Sequence, residues 1–430
     1  MENKTSTNCT FRVSDFEATK DKVLNWAKQF NTFCFLDNHR YQIAPHSVEC
    51  LLAAGQKRMI SSNSGSALDE LQQFMVQRKS WLFGHLSYDL KNEIENLSSC
   101  HVDLVDFPDL FFFEPEIIIR LSVNEIYIEA DDAEAVFEQI ERAVDNSLPV
   151  TGSFQVKNRI TKEQYVDYVH KLQKHIARGA CYEVNYCQEF FTEGATIDPL
   201  HVYKRLSHAS PNPFSALYRV YDKWLICASP ERFLKRNGNS VISQPIKGTS
   251  RRAIDNVFTD ELNRQLLHNS MKDRSENVMV VDLVRNDLAK VCREGTVKVD
   301  ELFGIYSFPQ VHQMISTVSG ELKPHTSFEE IIRAAFPMGS MTGAPKKRVM
   351  ELIEQYEQTK RGIFSGALGY ITPEGDFDFN VVIRSIMYNE TSKYLSFQAG
   401  SGITFYSDAE QEWEECLLKA EAIKKVLEEN

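Results

Sequence analysis

Residues 214–242 read FSALYRVYDKWLICASPERFLKRNGNSVI, which is a series of apolar runs separated by short polar stretches. Asn237-Gly238 lies between two apolar pairs, at 233–234 and 241–242. An Asn-Gly pair between two apolar runs is a strong signal of a tight hairpin turn. Because a hairpin joins neighbouring antiparallel strands, this stretch predicts an antiparallel sheet.

The rest of the chain shows more such strand groups, with helical patterns between them. The predicted strands are Trp81–Ser87, Leu110–Arg120, Glu125–Glu129, Glu183–Phe191, Phe214–Tyr221, Lys223–Ser229, Arg232–Arg236, Gly362–Tyr370, Phe377–Tyr388 and Tyr394–Ser401. The predicted helices are Ala133–Val144, a helix capped by Thr161 that runs to about Arg178, Asp260–Leu288, Phe328–Ala335, Lys346–Tyr356 and Ala409–Glu428. Hairpin-like groups outnumber strand–helix–strand units, which predicts an α+β fold with largely antiparallel sheets and helices packed outside them.

The composition is that of an ordinary globular protein. The chain has 430 residues, of which 43% are hydrophobic and 25% charged, and its formal net charge is −12. It has no dense Lys/Arg run, no apolar stretch long enough to span a membrane and no signal-peptide pattern at its start. The nine cysteines are scattered without a CxxC pair, which argues for a reducing compartment and against a zinc site. We therefore expect a cytoplasmic protein without nucleic-acid or membrane partners.

One mild boundary divides the chain. Residues Asp145–Lys157 mix Asn, Ser, Pro and Gly between two helical patterns. The sequence therefore predicts an N-terminal region at residues 1–157 and a C-terminal region at residues 158–430.

Familiar nucleotide-binding motifs are incomplete. Residues 339–346, GSMTGAPK, are one residue short of a phosphate loop, and Gly400-Ser401-Gly402 lacks the third glycine of a dinucleotide loop. Neither GxSxG nor HExxH occurs. The residues thus disfavour ATP, NAD and serine-hydrolase chemistry.

Several carboxylates are candidate cation ligands. Glu412, Glu415 and Lys419 share one face of the last predicted helix, and residues 399–402 form a Gly-rich strand-to-turn segment in front of it. Carboxylates near such a segment could hold Mg²⁺ and an anionic ligand, but a solvated face with a Glu–Lys salt bridge is an equally simple explanation. Glu276 opens an apolar helical segment and needs a partner, either a metal or a neighbouring base such as Lys272.

Four further side chains are candidate catalytic or binding groups. Lys247 precedes Gly248 in an apolar turn, where burial could lower its pKa and make it nucleophilic, although a surface lysine is commoner. Glu231, between a proline and apolar residues, is a candidate general acid with a raised pKa, or a turn residue. Arg384 follows three apolar residues and could bind a buried carboxylate, whereas His312 is more simply a core histidine.

These segments together resemble the chorismate-utilising enzymes, which include the anthranilate, aminodeoxychorismate, isochorismate and salicylate synthases. The resemblance runs from about Thr161 to the C-terminus, and residues 81–90 (WLFGHLSYDL) add to it. The matching blocks are SPERF, PIKGTSRR, MVVDLVRNDL, FPQVHQMIST, AAFPMGSMTGAPKKRVMELI, FSGALGYI, VVIRS and AGSGITFYSD with EWEECLLKA.

The resemblance implies two packed antiparallel sheets flanked by helices, with chorismate and Mg²⁺ between them. It implies that Glu276 and Glu415 are the direct Mg²⁺ ligands, with Glu412 close by. The remaining implied site residues are Arg384, Tyr370 and the Gly400–Gly402 backbone at the enolpyruvyl carboxylate, Lys419 as added positive charge, and His312 and Thr342 facing the ring.

Within this family the third position of the PI-x-GT block distinguishes the reactions, and here it is Lys247. The resemblance implies that Lys247 attacks ring C2 while Glu231 protonates the departing C4 hydroxyl, after which ammonia enters at C4 and the lysine leaves. The expected product is 4-amino-4-deoxychorismate, on the route to para-aminobenzoate and folate. Members that add water to the ring, the isochorismate and salicylate synthases, carry a lysine base where this chain has Glu183. The resemblance therefore argues against these two activities. Amine-forming members commonly have glutamine there, so Glu183 is a departure, and so is Ala180, where Gly-Asp is usual.

The resemblance also implies a partner. The chain lacks the cysteine-centred segment of a glutaminase, so ammonia is expected from a separate glutamine amidotransferase subunit. The nearest alternative reaction is that of anthranilate synthase component I, which forms anthranilate and pyruvate from chorismate.

Overall fold

The structure is a computed structural model that describes residues 7–41, 49–145 and 155–428. Within these ranges, the strands form two sheets in which every neighbouring pair is antiparallel. Helices pack against both sheets. The fold class predicted from the sequence, α+β with two packed antiparallel sheets flanked by helices, is therefore confirmed.

The elements are numbered in chain order. The strands are β1 Thr7–Arg12, β2 Thr32–Asp37, β3 Cys50–Ala54, β4 Arg58–Ser62, β5 Leu82–Leu86, β6 Leu110–Glu114, β7 Ile117–Leu121, β8 Glu125–Ala130, β9 Lys157–Asn158, β10 Glu183–Thr192, β11 Phe214–Val220, β12 Lys223–Ser229, β13 Arg232–Asn237, β14 Ser240–Gln244, β15 Ile246–Arg251, β16 Lys298–Ser307, β17 Val311–Glu321, β18 Gly343–Ala344, β19 Ala367–Ile371, β20 Phe377–Asn380, β21 Ser385–Asn389 and β22 Tyr394–Ile403. The helices are α1 Phe16–Ala27, α2 Ala67–Gln77, α3 Lys91–Glu95, α4 Ala133–Arg142, α5 Lys162–Ala177, α6 Pro199–Ala209, α7 Val257–Asn269, α8 Met271–Val291, α9 Phe328–Ala335, α10 Lys346–Tyr356 and α11 Ala409–Glu428.

The larger sheet runs β1-β8-β7-β3-β2-β11-β12-β21-β22-β10-β18, with β9 beside β10. The smaller sheet runs β15-β17-β14-β13-β20-β19-β5-β6-β4, with β16 beside β17. The larger sheet is buried on both faces, because alternate residues of β2 enter two different cores. Phe33 and Phe35 belong to one core and Cys34 to the other, as the two-residue period of a strand requires.

Two predicted strands are each split in two, because the chain passes there from one sheet to the other. The predicted strand Leu110–Arg120 is β6 of the smaller sheet and β7 of the larger sheet, with Pro115 between them. The predicted strand Phe377–Tyr388 is β20 of the smaller sheet and β21 of the larger sheet. A mostly apolar segment therefore predicted burial correctly but could not show which sheet each half joins.

The predicted helices agree with the structure apart from one break. Thr161 caps α5 through a capping box with Gln164, as the sequence predicts. The predicted helix Asp260–Leu288 is two helices, α7 and α8, because Ser270 accepts a hydrogen bond from the Asp273 N–H and caps a new helix. No helix in the described part of the chain is long and apolar enough to cross a membrane.

The predicted boundary near Asp145–Lys157 lies mostly outside the described residues, since 146–154 fall in a gap. Strands from the two sides of this gap pair in both sheets. In the larger sheet β2 pairs with β11, and in the smaller sheet β5 pairs with β19. The two predicted regions, 1–157 and 158–430, are therefore interleaved in both sheets.

A buried arginine ties several of these elements together. Arg361 makes two hydrogen bonds to the Glu357 carboxylate, at 2.6 and 2.9 Å, and donates to the carbonyl oxygens of Met341 and Asn185, both at 2.7 Å. Its guanidinium also lies 4.6 Å from the ring centre of Tyr88 in the N-terminal region. One cation thus connects β10, the end of α10 and both halves of the chain.

Arg361→Gln is expected to lower the free energy of unfolding by about 3–5 kcal/mol, because it leaves the buried Glu357 carboxylate without its counter-charge. Urea denaturation followed by circular dichroism measures the loss. The matched control is Arg348→Gln on α10, whose arginine pairs with Glu351 at the surface and should cost less than about 1 kcal/mol. Equal losses in the two variants would contradict the structural role given to Arg361.

Candidate active site

The two sheets are joined by a buried ion pair between Glu183 and Lys247. Glu183 begins β10 of the larger sheet, and Lys247 lies on β15 of the smaller sheet. Lys247 Nζ is 2.6 Å from Glu183 Oε1, and the two side chains are 12% and 2% exposed. The lysine is therefore in the interior, which excludes the alternative of an ordinary surface lysine.

Gly402 makes room for this pair. It lies on β22 opposite Asn185 of β10, and a Cβ atom at this position would overlap Glu183 Oε1 and stand 3.0 Å from Lys247 Nζ. Gly400, two residues earlier, approaches the backbone of Tyr186 and Cys187 just as closely. The prediction that residues 399–402 form a strand-to-turn segment is wrong, because they lie inside β22, and the glycines are needed there for close backbone approach.

The charge on Lys247 differs from the sequence-based expectation. Burial lowers its pKa, as predicted, but the carboxylates of Glu183, Glu276 and Glu231 outweigh burial and raise the pKa above the usual lysine value. Lys247 in this structure is therefore an ammonium group, and the expected lowered pKa is wrong for this state of the protein. The sequence could not reveal this, because the three acids are far from Lys247 in the chain.

Glu231 lies where the chain leaves β12 of the larger sheet and enters β13 of the smaller sheet. Its side chain is 3% exposed, and Oε1 accepts a hydrogen bond of 2.6 Å from Ser340 Oγ. Burial raises its pKa to about 7, against the opposing effects of Ser340, Lys247 and Arg384. The raised pKa that the sequence predicted for this carboxyl group is confirmed; its catalytic role stays a prediction.

Arg384 lies at the neighbouring crossover, between β20 and β21, and not on a strand as predicted. Its backbone adopts a φ of 51°, in the left-handed region that non-glycine residues rarely occupy. Backbone hydrogen bonds join the two crossovers, from Val381 N to Glu231 O at 3.0 Å and from Ala228 N to Arg384 O at 3.2 Å. Burial lowers the pKa of Arg384 to about 10, and the Glu231 carboxylate opposes this shift.

The three predicted metal-site carboxylates belong to α8, which carries Glu276, and to α11, which carries Glu412 and Glu415. Glu276 Oε1 and Glu412 Oε2 are buried and find no hydrogen-bond partner among the described residues. Burial raises the pKa of Glu276 to about 7. Burial would raise the pKa of Glu415, but Lys419, Lys272 and Lys247 together outweigh it, so the pKa is lowered. Glu415 and Lys419 form the predicted salt bridge at 2.8 Å.

A divalent cation would suit these unpartnered oxygens, because carboxylates are hard oxygen donors of the kind that Mg²⁺ prefers. Lys272 Nζ is 3.8 Å from Glu412 Oε1, so this lysine now balances part of the negative charge. In the described ranges, however, no three His, Cys, Asp or Glu side chains stand close enough to form a metal centre. Among the described residues, the features that favour a cation are the unpartnered oxygens of Glu276 and Glu412, whereas Glu415 is paired with Lys419.

The other predicted residues near this cluster have clear positions. Lys419 donates a hydrogen bond of 2.9 Å to the carbonyl oxygen of Gly400. Thr342 is fully buried and donates to the Met338 carbonyl oxygen at 3.0 Å. Both ring nitrogens of His312 are engaged, with Ser307 Oγ at 2.8 Å and with Asp260 Oδ1 at 3.2 Å. The structure therefore presents His312 as the satisfied core histidine that the residues alone suggested.

Tyr370 lies apart from this group. Its ring packs against Trp81 and Phe83, with centroid distances of 5.6 and 5.9 Å. It lines a cavity together with Arg232 and Asp378, and none of the cluster's carboxylates lines that cavity. The structure thus does not bring Tyr370 to Arg384. The reason is that β19 carries Tyr370 away from the crossover that holds Arg384.

Two polar residues at the site were missed from the sequence. Ser340 holds Glu231, and Asn185 Nδ2 donates to the Ser340 carbonyl oxygen at 3.1 Å. Ser340 belongs to a segment quoted for the resemblance and Asn185 follows Glu183 on β10, but neither residue type has a chemistry that marks it alone. Their role is to orient the Glu231 carboxyl group.

Comparison with known proteins identifies the family and the fold. The family described as chorismate binding enzyme matches residues 26–425. Aminodeoxychorismate synthase component 1 of Bacillus subtilis is 32% identical over 80% of this chain and 76% of its own length. The Escherichia coli protein of the same name is 33% identical over the same shares. An anthranilate synthase component I-like protein of Synechocystis is 34% identical over 81% of this chain and 72% of its own length.

Solved structures show the same fold. Anthranilate synthase component I of Streptococcus pneumoniae superimposes with a TM-score of 0.77 at 24% identity, covering 89% of this chain and 94% of that chain. The menaquinone-specific isochorismate synthase of Escherichia coli gives a TM-score of 0.78 at 17% identity, covering 98% and 95%. These identities are low, so the likeness speaks for the fold alone.

Glu231→Gln is expected to change how stability depends on pH. The Glu231 pKa is about 7 in the folded protein against an ordinary value of 4.5, so the wild type loses stability as the pH rises from about 4.5 to about 7. The glutamine variant does not titrate there and should gain about 3 kcal/mol relative to the wild type over this range, since one pKa unit corresponds to about 1.4 kcal/mol. Urea unfolding at pH 4.5 and at pH 8 measures the difference.

The control is Glu193→Gln, just beyond the end of β10, where the side chain is 66% exposed. Its free energy of unfolding should change between pH 4.5 and pH 8 by the same amount as that of the wild type. If the free energy of unfolding of Glu231→Gln also changed with pH as that of the wild type does, this would contradict a raised pKa of Glu231.

Proposed function

The chain belongs to the chorismate binding enzyme family, and from this premise we propose that it aminates chorismate. The proposed reaction takes chorismate and ammonia to 4-amino-4-deoxychorismate and water, as in aminodeoxychorismate synthase component I. Its product would serve para-aminobenzoate and folate synthesis. The observation that carries the proposal is a lysine at position 247 that is buried beside acids at the junction of the sheets.

In the proposed mechanism Lys247 is the nucleophile and Glu231 the general acid. Nitrogen attack at ring C2 shifts the ring double bonds and expels the C4 hydroxyl group, which leaves as water with the Glu231 proton. Hydroxide is a poor leaving group, so the step needs an acid that is still protonated near neutral pH, and the pKa of Glu231, raised to about 7, meets this need. Ammonia then attacks C4, the double bonds shift back and Lys247 leaves as an amine.

Binding of the dianionic substrate needs cationic groups in an otherwise acidic protein. Arg384 and the backbone N–H groups of Gly400–Gly402 are proposed to hold the enolpyruvyl carboxylate, with Lys419 adding positive charge nearby. The segments that carry Thr342 and His312 are proposed to face the substrate ring, while these two side chains themselves stay buried and hydrogen-bonded. Tyr370 is not part of this proposal, because it lines another cavity.

We also propose that Glu276 and Glu415 hold Mg²⁺, with Glu412 beside them. The support is the pair of unpartnered carboxylate oxygens on Glu276 and Glu412. When bound, the ion would neutralise the ring carboxylate of the substrate. The protein's own contribution is to bury one oxygen each of Glu276 on α8 and Glu412 on α11, because a carboxylate out of water attracts a cation more strongly.

The proposed ammonia source is a glutamine amidotransferase subunit. The relatives whose names include "component 1" support a partner component. We further propose a cytoplasmic location, which the nine free cysteines support, because disulfides are rare in that reducing compartment.

Incubation with chorismate, Mg²⁺ and an ammonium salt is expected to give a product that yields para-aminobenzoate only after an aminodeoxychorismate lyase is added. A chelator should stop the reaction and added Mg²⁺ should restore it. Chromatography of the products measures the outcome. Fluorescent anthranilate and pyruvate without lyase would favour the alternative, anthranilate synthase component I, and overturn the proposal.

Lys247→Ala is expected to abolish aminodeoxychorismate formation, because no nucleophile remains, while chorismate binding measured by calorimetry largely survives. In the wild type without ammonia, mass spectrometry should find the 247-containing peptide heavier by chorismate less one water. The control, Lys298→Ala, removes an exposed lysine of β16 in the same sheet and should leave the rate unchanged. Full activity in the Lys247 variant would eliminate the covalent mechanism.

A further inference from the structure

The ion pair between Glu183 and Lys247 has a role that the mechanism above leaves open. Lys247 Nζ carries a proton in this structure, yet an ammonium nitrogen has no lone pair with which to attack carbon. A proton must therefore leave Lys247 before the covalent step. The group that accepts it decides how the reaction depends on pH.

Several acids face Lys247, but only one is in contact with it. Glu183 comes from β10, Glu231 from the crossover, Glu276 from α8 and Glu415 from α11, and all four act on its charge. Among the described residues, only Glu183 lies within ion-pair distance, at 2.6 Å. Glu231 Oε1 instead accepts a hydrogen bond from Ser340 Oγ at 2.6 Å.

The surroundings of Glu183 fit a group that alternates between charged and neutral forms. Oε1 accepts a hydrogen bond from Lys247 Nζ, while Oε2 is buried and has no hydrogen-bond partner in the described chain. Moving one proton from Lys247 to Glu183 turns two buried charges into two neutral groups. Because burial penalises charged groups more than neutral ones, burial favours this transfer. Gly402 leaves space for the pair, since a Cβ atom there would overlap Glu183 Oε1 and stand 3.0 Å from Lys247 Nζ.

We propose that Glu183 is a positioning residue that stores Lys247 as an ammonium group and takes its proton when the amine attacks the substrate. This proposal rests on the proposed function, since it concerns the same nucleophile. Glutamine at this position, as in the amine-forming relatives that the sequence resembles, could hold Lys247 by a hydrogen bond but could not accept its proton.

The proton balance closes over one turnover. The Lys247 ammonium gives one proton to Glu183, and the free amine forms the bond to C2 as a secondary ammonium group. The C4 hydroxyl leaves as water with the proton of Glu231. Ammonia then bonds to C4 and returns one proton to Glu231, while Lys247 departs as a neutral amine and recovers its proton from Glu183. The net reaction consumes chorismate and ammonia and releases the aminated product and water.

The first test measures the charge of Lys247 without substrate. Lysine labelled with ¹³C at Cε gives one NMR signal per lysine, and the signal absent from Lys247→Ala identifies this residue. In Glu183→Gln the titration midpoint of Lys247 should move to lower pH by one unit or more, because a carboxylate in direct contact is removed. Glu193→Gln, which changes an exposed carboxylate just beyond the end of the same strand, should leave the midpoint unchanged. An unchanged midpoint in Glu183→Gln would overturn the storage role.

The second test follows kcat/KM for chorismate against pH with ammonia held in excess. The wild type transfers the lysine proton internally, whereas Glu183→Gln must first lose it to the solvent. On the acidic side of the maximum, kcat/KM of the variant should therefore fall more steeply than that of the wild type, by an additional factor of ten for each pH unit. Glu183→Asp keeps a carboxylate and should retain the wild-type slope at a lower rate.

The outcomes separate this proposal from the proposed function. Parallel pH profiles in the wild type and Glu183→Gln, with both enzymes active, would overturn proton transfer to Glu183 and leave the amination reaction standing. A wild type that forms no aminated product at any pH would overturn the proposed function, while the NMR titration would still decide whether Glu183 fixes the charge of Lys247.

Discussion

The architecture depends on one backbone constraint, which is that the chain passes between the two sheets at neighbouring points. A strand that leaves its ladder gives up hydrogen bonds, and in the interior these must be replaced. The two crossovers, at Glu231 and at Arg384, supply replacement hydrogen bonds to each other. Val381 N donates to the Glu231 carbonyl oxygen, and Ala228 N donates to the Arg384 carbonyl oxygen. The same arrangement brings an acid and a base from distant parts of the sequence side by side.

The electrostatics of the site follow from burial with few counter-charges. Glu231 and Glu276 have raised pKa values because burial dominates, whereas Glu415 has a lowered pKa because nearby lysines outweigh burial. Lys247 is affected by more than one acid and stays charged. The pKa values of carboxyl groups in the same site are thus shifted in opposite directions by their surroundings. One site can therefore offer both proton donors and proton acceptors near neutral pH.

Local patterns in the sequence were enough to predict the fold class and most helices and strands. The capping box at Thr161 and the hairpin at Asn237-Gly238 are decided by neighbouring residues, and both are confirmed. The apolar runs that cross between sheets were predicted as single strands, because burial is alike on the two sides of the crossover. The charge of Lys247 and the position of Tyr370 depend on contacts between residues far apart in the chain, which no local pattern contains.

The left-handed backbone of Arg384 sets stability, which favours glycine at this position, against retention of the guanidinium group. An arginine in this conformation is less favourable than a glycine by about 1–2 kcal/mol, so a chain chosen for stability alone would drift toward glycine at this position. Glycine would relax the peptide and delete the guanidinium group. Under the proposed role of Arg384, a library enriched only for thermal resistance should therefore accumulate well-folded but inactive variants at this position, whereas selection for activity should retain arginine.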